Sequence, residues 1–403
     1  MARYNLLVVN HAVEIGGAER VLLRLLDALD PGLFEPALAC PTEGPLTDEA
    51  LNRRLQVHLG HPSPRLLAIK RQSLGSNRFA VASYPFDMAT SVWRLARLIR
   101  RERFDLVLTN SAKADIYGTL AARLARRPAV IRLHDIVDAD AFSKLNMWLF
   151  KTSAKYFADR ILTVSHATEN AMAALGVPRS KLLTVYNGID LEEEGQPVDA
   201  CAVRREFGIG AEVPVAGLVG RLVDWKGPDY FIKAAAKSAR ELPESRFLLV
   251  GDALFGEKEY VDHLKELAES LGLHDRLVFT GFRSDVSLLV AALDVLVHAS
   301  TLPDPLPTVL VEAMARSRPV VAADAGGVPE IVIDGVTGFT VPPRDTERMS
   351  EAITYLLSNP DEARQMGKAG LERAKEIFDI HKTTCSMEEA LLSAMDKRRE
   401  PAQ

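Results

Sequence analysis

Residues 219–228 read Val219-Gly220-Arg221-Leu222-Val223-Asp224-Trp225-Lys226-Gly227-Pro228 and join a predicted strand to a predicted helix. Pro228 suits the first turn of a helix, where free N–H groups and the positive end of the dipole favour phosphate. Arg221 and Lys226 can add charge-assisted hydrogen bonds at the same place. The alternative interpretation is two surface cations beside a tight turn at Gly227.

Short apolar runs alternate with helical patterns on both sides of this loop. In the second half of the chain, the strand Val213–Val219 precedes the helix Asp229–Glu241, and the strand Arg246–Val250 follows. The first half shows the same alternation from Leu6–Asn10 onward. A helix between successive strands is the crossover of a parallel sheet, so we predict an α/β fold with two doubly wound domains.

An acidic stretch without hydrophobic period, Leu191–Ala202, separates the two alternations and contains Gly195 and Pro197. This composition is typical of a linker. We therefore predict an N-terminal domain over residues 1–195, a C-terminal domain over 196–375 and a helical tail over 376–403. Two such domains create a cleft, and open α/β sheets bind ligands outside the carboxyl ends of their strands.

A nicotinamide enzyme is the competing α/β interpretation. Its Gly-x-Gly-x-x-Gly pattern should follow the first strand. Residues 10–19 instead read Asn10-His11-Ala12-Val13-Glu14-Ile15-Gly16-Gly17-Ala18-Glu19, which does not match. Gly16 and Gly17 do stand before a predicted helix, and they allow either close approach of a ligand to the backbone or a plain tight turn.

A second loop with candidate ligand contacts is Asp304-Pro305-Leu306-Pro307-Thr308, and Glu312 follows it one turn inside a predicted helix. Carboxylates at these places can accept hydrogen bonds from sugar or ribose hydroxyls while the helix start faces a phosphate. The alternative is a helix cap at Asp304 and a solvated Glu312. Because Glu312 is flanked by apolar residues, a buried carboxylate there would need a partner.

His134 follows the predicted strand Ala129–Leu133, at the edge of a parallel sheet where a site would lie. A histidine with a purely structural role is the alternative. The nearby Asp138-Ala139-Asp140 lies outside the predicted phosphate loops, so we do not interpret it as a metal motif.

Composition indicates an ordinary globular protein of 403 residues. No run of about 18 apolar residues predicts a membrane-spanning helix, and the first residues resemble a strand more than a signal peptide. The three cysteines (Cys40, Cys201 and Cys385) are far apart and form no Cys-x-x-Cys pattern. We therefore expect a cytoplasmic protein without disulfides or structural zinc.

Charge is unevenly distributed along the chain. Residues 1–190 hold 25 basic and 18 acidic residues, a net charge of +7, whereas residues 191–403 hold 24 and 36, a net charge of −12. The basic half could attract an anionic acceptor or the inner face of a membrane, and the alternative is scattered, solvated charge. The basic residues come without interleaved aromatics, so no nucleic acid partner is expected.

Six motifs occur in order: Gly16-Gly17-Ala18-Glu19, Asn187-Gly188-Ile189-Asp190, Gly220-Arg221-Leu222 with Lys226-Gly227, Gly281-Phe282, Asp304-x7-Glu312-Ala313-Met314-Ala315, and Ala325-Gly326-Gly327-Val328-Pro329-Glu330. Together they resemble glycosyltransferase family 4, the large family of retaining GT-B enzymes, over about residues 5–390. The resemblance implies two Rossmann-like domains facing a central cleft, with a C-terminal helix crossing back to the N-domain. It also implies transfer of a sugar from a nucleoside-diphosphate sugar, by default a UDP-sugar, to an acceptor hydroxyl with retention of anomeric configuration.

The resemblance also implies roles for single residues. Arg221 and Lys226 would hold the donor diphosphate, Glu312 the ribose, and Asp304 the hydroxyls of the donor sugar. His134 would lie near that sugar and orient or polarise it. The remaining implied donor contacts are Gly16, Gly17, Gly220, Leu306, Thr308 and Val309, with Phe282 and Arg283 in the loop for the nucleobase.

Two departures from the family pattern concern the donor sugar. Asp304 replaces the usual glutamate, which shortens the side chain by one methylene group, and Leu306-Pro307-Thr308 replaces the commoner Phe-Gly-Leu. Pro307 also removes one backbone donor. The sugar specificity of the commonest members therefore cannot be assumed.

The chemistry that the resemblance implies needs no protein nucleophile. Arg221, Lys226 and helix N-termini would stabilise the charge that develops on the leaving phosphate, so we predict no cofactor and independence of metal. The acceptor could be a sugar, a lipid-linked molecule or a small molecule, recognised by the loops of the N-domain. The alternatives are a GT-B nucleotide-sugar epimerase, a phosphorylase, or a non-catalytic subunit that binds nucleotide sugars.

Overall fold

The computed structural model describes residues 3–62, 78–137, 144–253 and 258–396, without the side chains of residues 78–84 and 258. The Asp138-Ala139-Asp140 motif and part of the predicted acceptor loops therefore lie outside the described residues. The chain divides into two compact units. Unit 1 comprises Met1–Gly188 together with Ile380–Gln403, and unit 2 comprises Ile189–Asp379.

Unit 1 is built on a parallel sheet whose described strands follow the order β3-β2-β1-β4-β5-β6-β7. The strands are β1 (Tyr4–Val9), β2 (Phe34–Ala39), β3 (Gln56–His58), β4 (Leu106–Thr109), β5 (Ala129–Leu133), β6 (Arg160–Thr163) and β7 (Leu182–Thr184). The helices are α1 (Gly17–Ala28), α2 (Pro45–Asn52), α3 (Arg78–Arg101), α4 (Ala112–Ala125), α5 (Lys144–Thr152), which continues into a π-helical turn (Ser153–Phe157), α6 (His166–Ala174) and, at the end of the chain, α16 (Ile380–Asp396).

Both faces of this sheet are covered, because side chains alternate along each buried strand. Leu6 and Val8 pack on the layer that contains α1 and α16, whereas Leu7 and Val9 pack on α3 and α4. Helix α16 buries Leu391 among the residues of unit 1. This confirms the prediction that the C-terminal helix packs on the N-terminal domain.

Unit 2 repeats the architecture with described strands in the parallel order β10-β9-β8-β11-β12-β13. The strands are β8 (Val215–Val219), β9 (Arg246–Val250), β10 (Leu277–Gly281), β11 (Val295–His298), β12 (Val320–Ala323) and β13 (Gly338–Val341). The helices are α7 (Leu191–Glu194), α8 (Ala200–Glu206), α9 (Pro228–Glu241), α10 (Lys258–Ser270), α11 (Val286–Ala292), α12 (Thr308–Ala315), α13 (Val328–Ile331), α14 (Thr346–Ser358) and α15 (Pro360–Ile377). The predicted pair of parallel α/β domains is thereby confirmed, whereas the cleft stays a prediction.

The predicted linker at 191–202 is wrong, because the first helices of unit 2 lie there. Asp190 caps α7 by accepting hydrogen bonds from two backbone N–H groups, and Asp199 caps α8 in the same way from Ala202. Arg316 anchors this segment, since its guanidinium donates to the Gln196 carbonyl and the Ser287 hydroxyl. The boundary at 195 therefore falls inside unit 2, and that at 375 falls within α15.

Each sheet reverses its strand order once, between β1 and β4 in unit 1 and between β8 and β11 in unit 2. At such a switch point the adjacent loops leave the sheet in opposite directions and open a crevice at the carboxyl edge. Within each unit, the loops that flank its switch point therefore hold the candidate ligand-binding residues. None of the described helices has the length and apolar composition needed to cross a bilayer.

Candidate active site

The loop after β8 holds the two predicted phosphate ligands. Arg221 is exposed, and the structure gives its side chain no ion pair with any described residue. Lys226 ends a 3₁₀ turn, and Gly227 then begins α9 with φ of +66°. A Cβ atom at Gly227 would meet the Ala299 carbonyl oxygen at 2.1 Å. Both the conformation and the space at this position thus require glycine.

Lys226 and Asp304 form a short ion pair across the switch point. The ammonium of Lys226 donates to Oδ2 of Asp304 and lies 4.4 Å from the centre of the Trp225 ring. Asp304 is buried, and Lys226 is about one-fifth exposed. The two residues that the sequence assigned to phosphate and to sugar are therefore each other's counter-ions in this structure.

His298, the last residue of β11, holds the same carboxylate. Its Nε2 lies 3.2 Å from Oδ2 of Asp304 and 3.0 Å from the Ser300 hydroxyl. Burial alone would raise the pKa of the Asp304 carboxyl, but Lys226 and His298 outweigh it and hold that pKa well below its usual range. Burial also lowers the pKa of His298, so a neutral ring at pH 7 donates from Nε2.

The backbone of Asp304 is clamped by the loop after β12. The Gly327 N–H donates to the Asp304 carbonyl at 2.8 Å. A Cβ atom at Gly326, where φ is +65°, would lie 2.2 Å from the same oxygen. The Ala325-Gly326-Gly327 motif therefore allows two backbone segments to touch, and this contact sets the position of the carboxylate.

The remaining predicted contacts of this loop lie along the start of α12. Leu306 is buried, Thr308 is the first residue of the helix, and Val309 follows it, half-buried. Glu312 lies one turn further and is half-buried. The arrangement presents the helix start and a carboxylate on the side where β11 ends.

Phe282 and Arg283 follow β10, but their side chains lie in different surroundings. Phe282 is two-thirds exposed and free to stack on a planar ligand. Arg283 instead donates two hydrogen bonds to Asp285, at 2.7 and 2.8 Å, and pairs with Glu206. These carboxylates raise the pKa of Arg283 and hold its side chain within unit 2. Its predicted contact with the nucleobase stays a prediction.

In unit 1, the glycine pair stands at the start of α1, beside the switch point. Glu19 is buried, with Oε2 accepting from the Gly16 N–H at 3.1 Å and Oε1 from Asn10 at 3.3 Å. A Cβ atom at Gly17 would meet no atom within 4 Å. The protein itself therefore does not require glycine at position 17, and the surface beside it is open.

His134 lies at the carboxyl edge of the same sheet. Its Nε2 is 2.9 Å from the side-chain oxygen of Asn110, which follows β4. Burial lowers the pKa of the ring well below its ordinary value, and the charge of Arg132 lowers it further. His134 is therefore neutral at pH 7 and serves as a hydrogen-bonding group rather than a cation.

Arg132 is a buried cation two residues before His134. Its side chain is almost fully buried, and one nitrogen donates to the Asn187 side chain at 3.0 Å. Nε and Nη1 have no hydrogen-bond partner among the described residues. Burial lowers the pKa of Arg132 to about 10, so it keeps its charge at neutral pH.

Comparison with known proteins decides the family. Two family models match the chain: Glycosyltransferase Family 4 over residues 15–193 and Glycosyl transferases group 1 over residues 202–373. The crystal structure of HepE from Anabaena in complex with UDP and glucose is 30% identical, with a TM-score of 0.82, and the alignment covers 96% of this chain and 99% of that one. The chain belongs to glycosyltransferase family 4.

Two further relatives align over most of the chain. The UDP-Gal:α-D-GlcNAc-diphosphoundecaprenol α-1,3-galactosyltransferase of Escherichia coli is 27% identical over 348 residues, 84% of each chain. The N-acetyl-α-D-glucosaminyl L-malate synthase of Bacillus anthracis is 28% identical, over 77% of this chain and 81% of that one. The chain is accordingly a glycosyltransferase of the GT-B type.

Two residues of this family 4 site were not predicted from the sequence, His298 and Arg132. His298 ends an apolar strand, and its importance depends on Asp304, which lies beyond a turn. Arg132 interrupts the apolar strand Ala129–Leu133 with a charge, a signal that the sequence did contain. A charged residue in a buried strand of a parallel sheet always needs an explanation.

Proposed function

We propose that this glycosyltransferase moves a hexosyl group from a UDP-sugar to an acceptor hydroxyl and retains the anomeric configuration. One observation carries the proposal: Lys226, in the loop after β8, is paired at the switch point of unit 2 with Asp304, in the loop after β11. The loop of Lys226 also presents Arg221, which has no ion pair with any described residue. A cation and a carboxylate held there match the two ends of a sugar diphosphate.

The pair suggests how a donor would bind. A diphosphate takes hydrogen bonds from Arg221 without breaking any described ion pair, and it competes with Asp304 for the Lys226 ammonium. Once Lys226 turns to the phosphate, the Asp304 carboxylate is free to accept hydrogen bonds from sugar hydroxyls. His298 keeps that carboxylate in place throughout, because its hydrogen bond does not depend on Lys226.

The proposed chemistry rests on electrostatics rather than on a protein nucleophile. As the bond from the sugar to the phosphate breaks, negative charge grows on the phosphate oxygens, and Arg221 and Lys226 stabilise it. We propose that these cations do so without a metal ion. We also propose that neutral His134, at the carboxyl edge of the unit 1 sheet, binds a sugar hydroxyl by a hydrogen bond and does not act as a cation.

Two relatives support the choice of substrates. HepE from Anabaena has been crystallised with UDP and with UDP-glucose, and the similarity extends over nearly the whole chain. The Escherichia coli relative has UDP-Gal and a lipid diphosphate in its name. We propose a UDP-sugar as donor and favour a lipid-linked acceptor over a free sugar or another small molecule.

The donor is tested by thermal unfolding of the protein with UDP, GDP, ADP or dTDP, since a ligand of the folded state raises Tm by mass action. We expect UDP to raise Tm, and the shift to persist in EDTA and vanish in Arg221→Ala/Lys226→Ala. Binding of another diphosphate alone would reject the UDP assignment. Loss of the shift in EDTA, with recovery on adding Mg²⁺, would reject metal independence.

The reaction is tested with a panel of UDP-sugars and a set of lipid-linked acceptors, by NMR of the anomeric proton in the product. An α-linked product from an α-linked donor is expected. Inversion would reject the retaining mechanism. Donor turnover without acceptor would indicate an epimerase, and binding without turnover on any acceptor a non-catalytic subunit.

A further inference from the structure

The outer side of α3 and α5 in unit 1 exposes large apolar side chains. Phe86 and Trp93 lie two turns apart on α3, whereas Leu145 and Trp148 lie one turn apart on α5, with Tyr156 in the π-helical turn that follows. These five side chains are 43% to 73% exposed. Single exposed apolar residues are ordinary, but aromatic residues aligned along neighbouring helices indicate an interaction surface.

The two helices present these side chains on the same face of the sheet. Both pack beside α4, which lies between them over one face. Met88 of α3 and Leu149 of α5 contact the same two hydrophobic clusters and point inward. Both helices therefore lie over the same face of the unit 1 sheet, and we call the exposed residues of α3, α5 and the π-helical turn the aromatic–basic surface.

Cations surround the aromatic rings on this surface. Exposed basic residues on the helices and the turn are Arg94, Arg97, Arg100, Arg101, Lys144 and Lys155. The Arg97 guanidinium lies 5.6 Å from the Trp93 ring centre, and the Lys155 ammonium lies 5.5 Å from that of Tyr156.

Carboxylates are nearly absent from the aromatic–basic surface. Within the described residues 85–101 and 144–157, the only acidic residue is Asp87, which is buried. Glu102, just beyond α3, is paired with Arg101. Among the described residues of these segments, exposed positive charge therefore exceeds negative charge beside the aromatic side chains.

We propose that the aromatic–basic surface docks this enzyme on the anionic face of a lipid bilayer. Trp and Tyr favour the boundary between head groups and acyl chains, and basic side chains beside them attract acidic lipids. A soluble protein partner would need carboxylates that complement these cations and an apolar patch that matches these side chains. A bilayer accommodates both kinds of side chain at once.

The position of the surface fits the use of a membrane-bound acceptor. Helix α5 follows β5, and α3 leads into β4, so Trp148 and Phe86 lie toward the carboxyl edge of the sheet. His134 lies at that same edge. The inference extends the proposed transferase function, because it says where the acceptor is met, but lipid binding itself needs neither donor nor turnover.

Intrinsic fluorescence gives a direct test, because two of the three tryptophans of the chain lie on this surface. In full-length Trp225→Phe protein only Trp93 and Trp148 emit. We expect a blue shift with vesicles of phosphatidylcholine and phosphatidylglycerol, and quenching by lipids brominated near the head group. Unchanged emission with these vesicles would overturn the proposal.

Sedimentation with the same vesicles separates the contributions of charge and of apolar contact. Each cation near an anionic surface raises the partition coefficient of the protein onto vesicles roughly fivefold. Arg97→Gln/Lys155→Gln should therefore bind these vesicles roughly 25-fold more weakly than wild type. Trp93→Ser/Trp148→Ser should also lose binding. The matched controls Lys265→Gln/Lys368→Gln in unit 2 and Leu51→Ser on α2, another exposed leucine of unit 1, should bind as wild type.

Other outcomes reject the docking surface in distinct ways. Equal binding to pure phosphatidylcholine would remove the role of anionic lipid. A dimer in light scattering that Trp93→Ser/Trp148→Ser dissociates, without vesicle binding, would assign the surface to a second copy of the chain. The UDP-induced rise in Tm should persist in Arg97→Gln/Lys155→Gln and in Trp93→Ser/Trp148→Ser, so a failure of the docking surface is distinguishable from a failure of the proposed donor site.

Discussion

Lys226 and Asp304, 78 positions apart in the sequence, share an ion pair at the switch point of unit 2. The pair neutralises a buried carboxylate in the absence of donor and keeps a cation beside the start of α12. Donor binding therefore replaces one set of charge pairs with another, so the protein never has to hold an isolated buried charge at this place.

The pair predicts a specific dependence of stability on pH. Because the pKa of Asp304 is lower in the folded state than its ordinary 3.8, the pair stabilises fully above about pH 4 and is lost as the pH falls below that value. Asp304→Asn should therefore lower the free energy of unfolding by about 1–3 kcal/mol at pH 7. The gap to wild type should narrow at pH 3, as measured by urea unfolding. A gap that does not depend on pH would contradict the lowered pKa.

His298 should act on catalysis by positioning Asp304. His298→Phe removes the Nε2 donor and leaves the carboxylate to Lys226 alone, so we expect kcat/KM for the donor to fall about 10- to 100-fold. Glutamine can place an amide nitrogen near the position of Nε2, and His298→Gln should recover most of the activity. Equal losses in both variants, at unchanged Tm, would show that the imidazole acts in some other way.

Alanine should weaken ligand binding at position 17 and destabilise the fold at position 227. Gly17→Ala adds a Cβ atom into open space, so Tm should hold within about 2 °C while the affinity for UDP falls at least tenfold. Gly227→Ala forces φ of +66° and a contact of 2.1 Å on the backbone, and should lower the free energy of unfolding by more than about 2 kcal/mol. Unchanged UDP affinity in Gly17→Ala would mean that no ligand approaches that loop.

The sequence predicted ten of the thirteen described strands, since short apolar runs between helical patterns have few other interpretations, but it missed β3, β7 and β13. The strands Ala129–Leu133 and Arg246–Val250 have the predicted bounds. The switch points follow from strand order, which depends on contacts between distant segments and could not be predicted from local patterns. The helices at 191–206 were missed because their stability comes from capping by Asp190 and Asp199 and from Arg316, more than 100 positions away.

The sequence could not predict which charged residues form ion pairs with the site residues. A motif places Arg283 in a ligand loop, but Glu206, 77 positions earlier, occupies its guanidinium. A motif likewise separates Lys226 and Asp304 into two roles, although the fold pairs them. Residue types and spacing predict which loops meet at a switch point, whereas charge pairing depends on side-chain geometry.

Arg132 should lower the pKa of His134 beyond the effect of burial, and its own burial should reduce the stability of the fold. The guanidinium is almost fully buried with one described hydrogen bond, and such a charge is expensive to desolvate. Arg132→Met keeps similar volume and removes the charge, so the free energy of unfolding should stay equal or rise, by up to about 2 kcal/mol.

The pKa of His134 should rise toward its ordinary value in Arg132→Met, because one of the two causes that lower it is gone. NMR titration of the His134 ring measures this, with Arg160→Met at the half-buried start of β6 as the matched control. If the ring titrates at the same pH in Arg132→Met and wild type, burial alone keeps His134 neutral, and Arg132 must be retained for another reason, such as its hydrogen bond to Asn187.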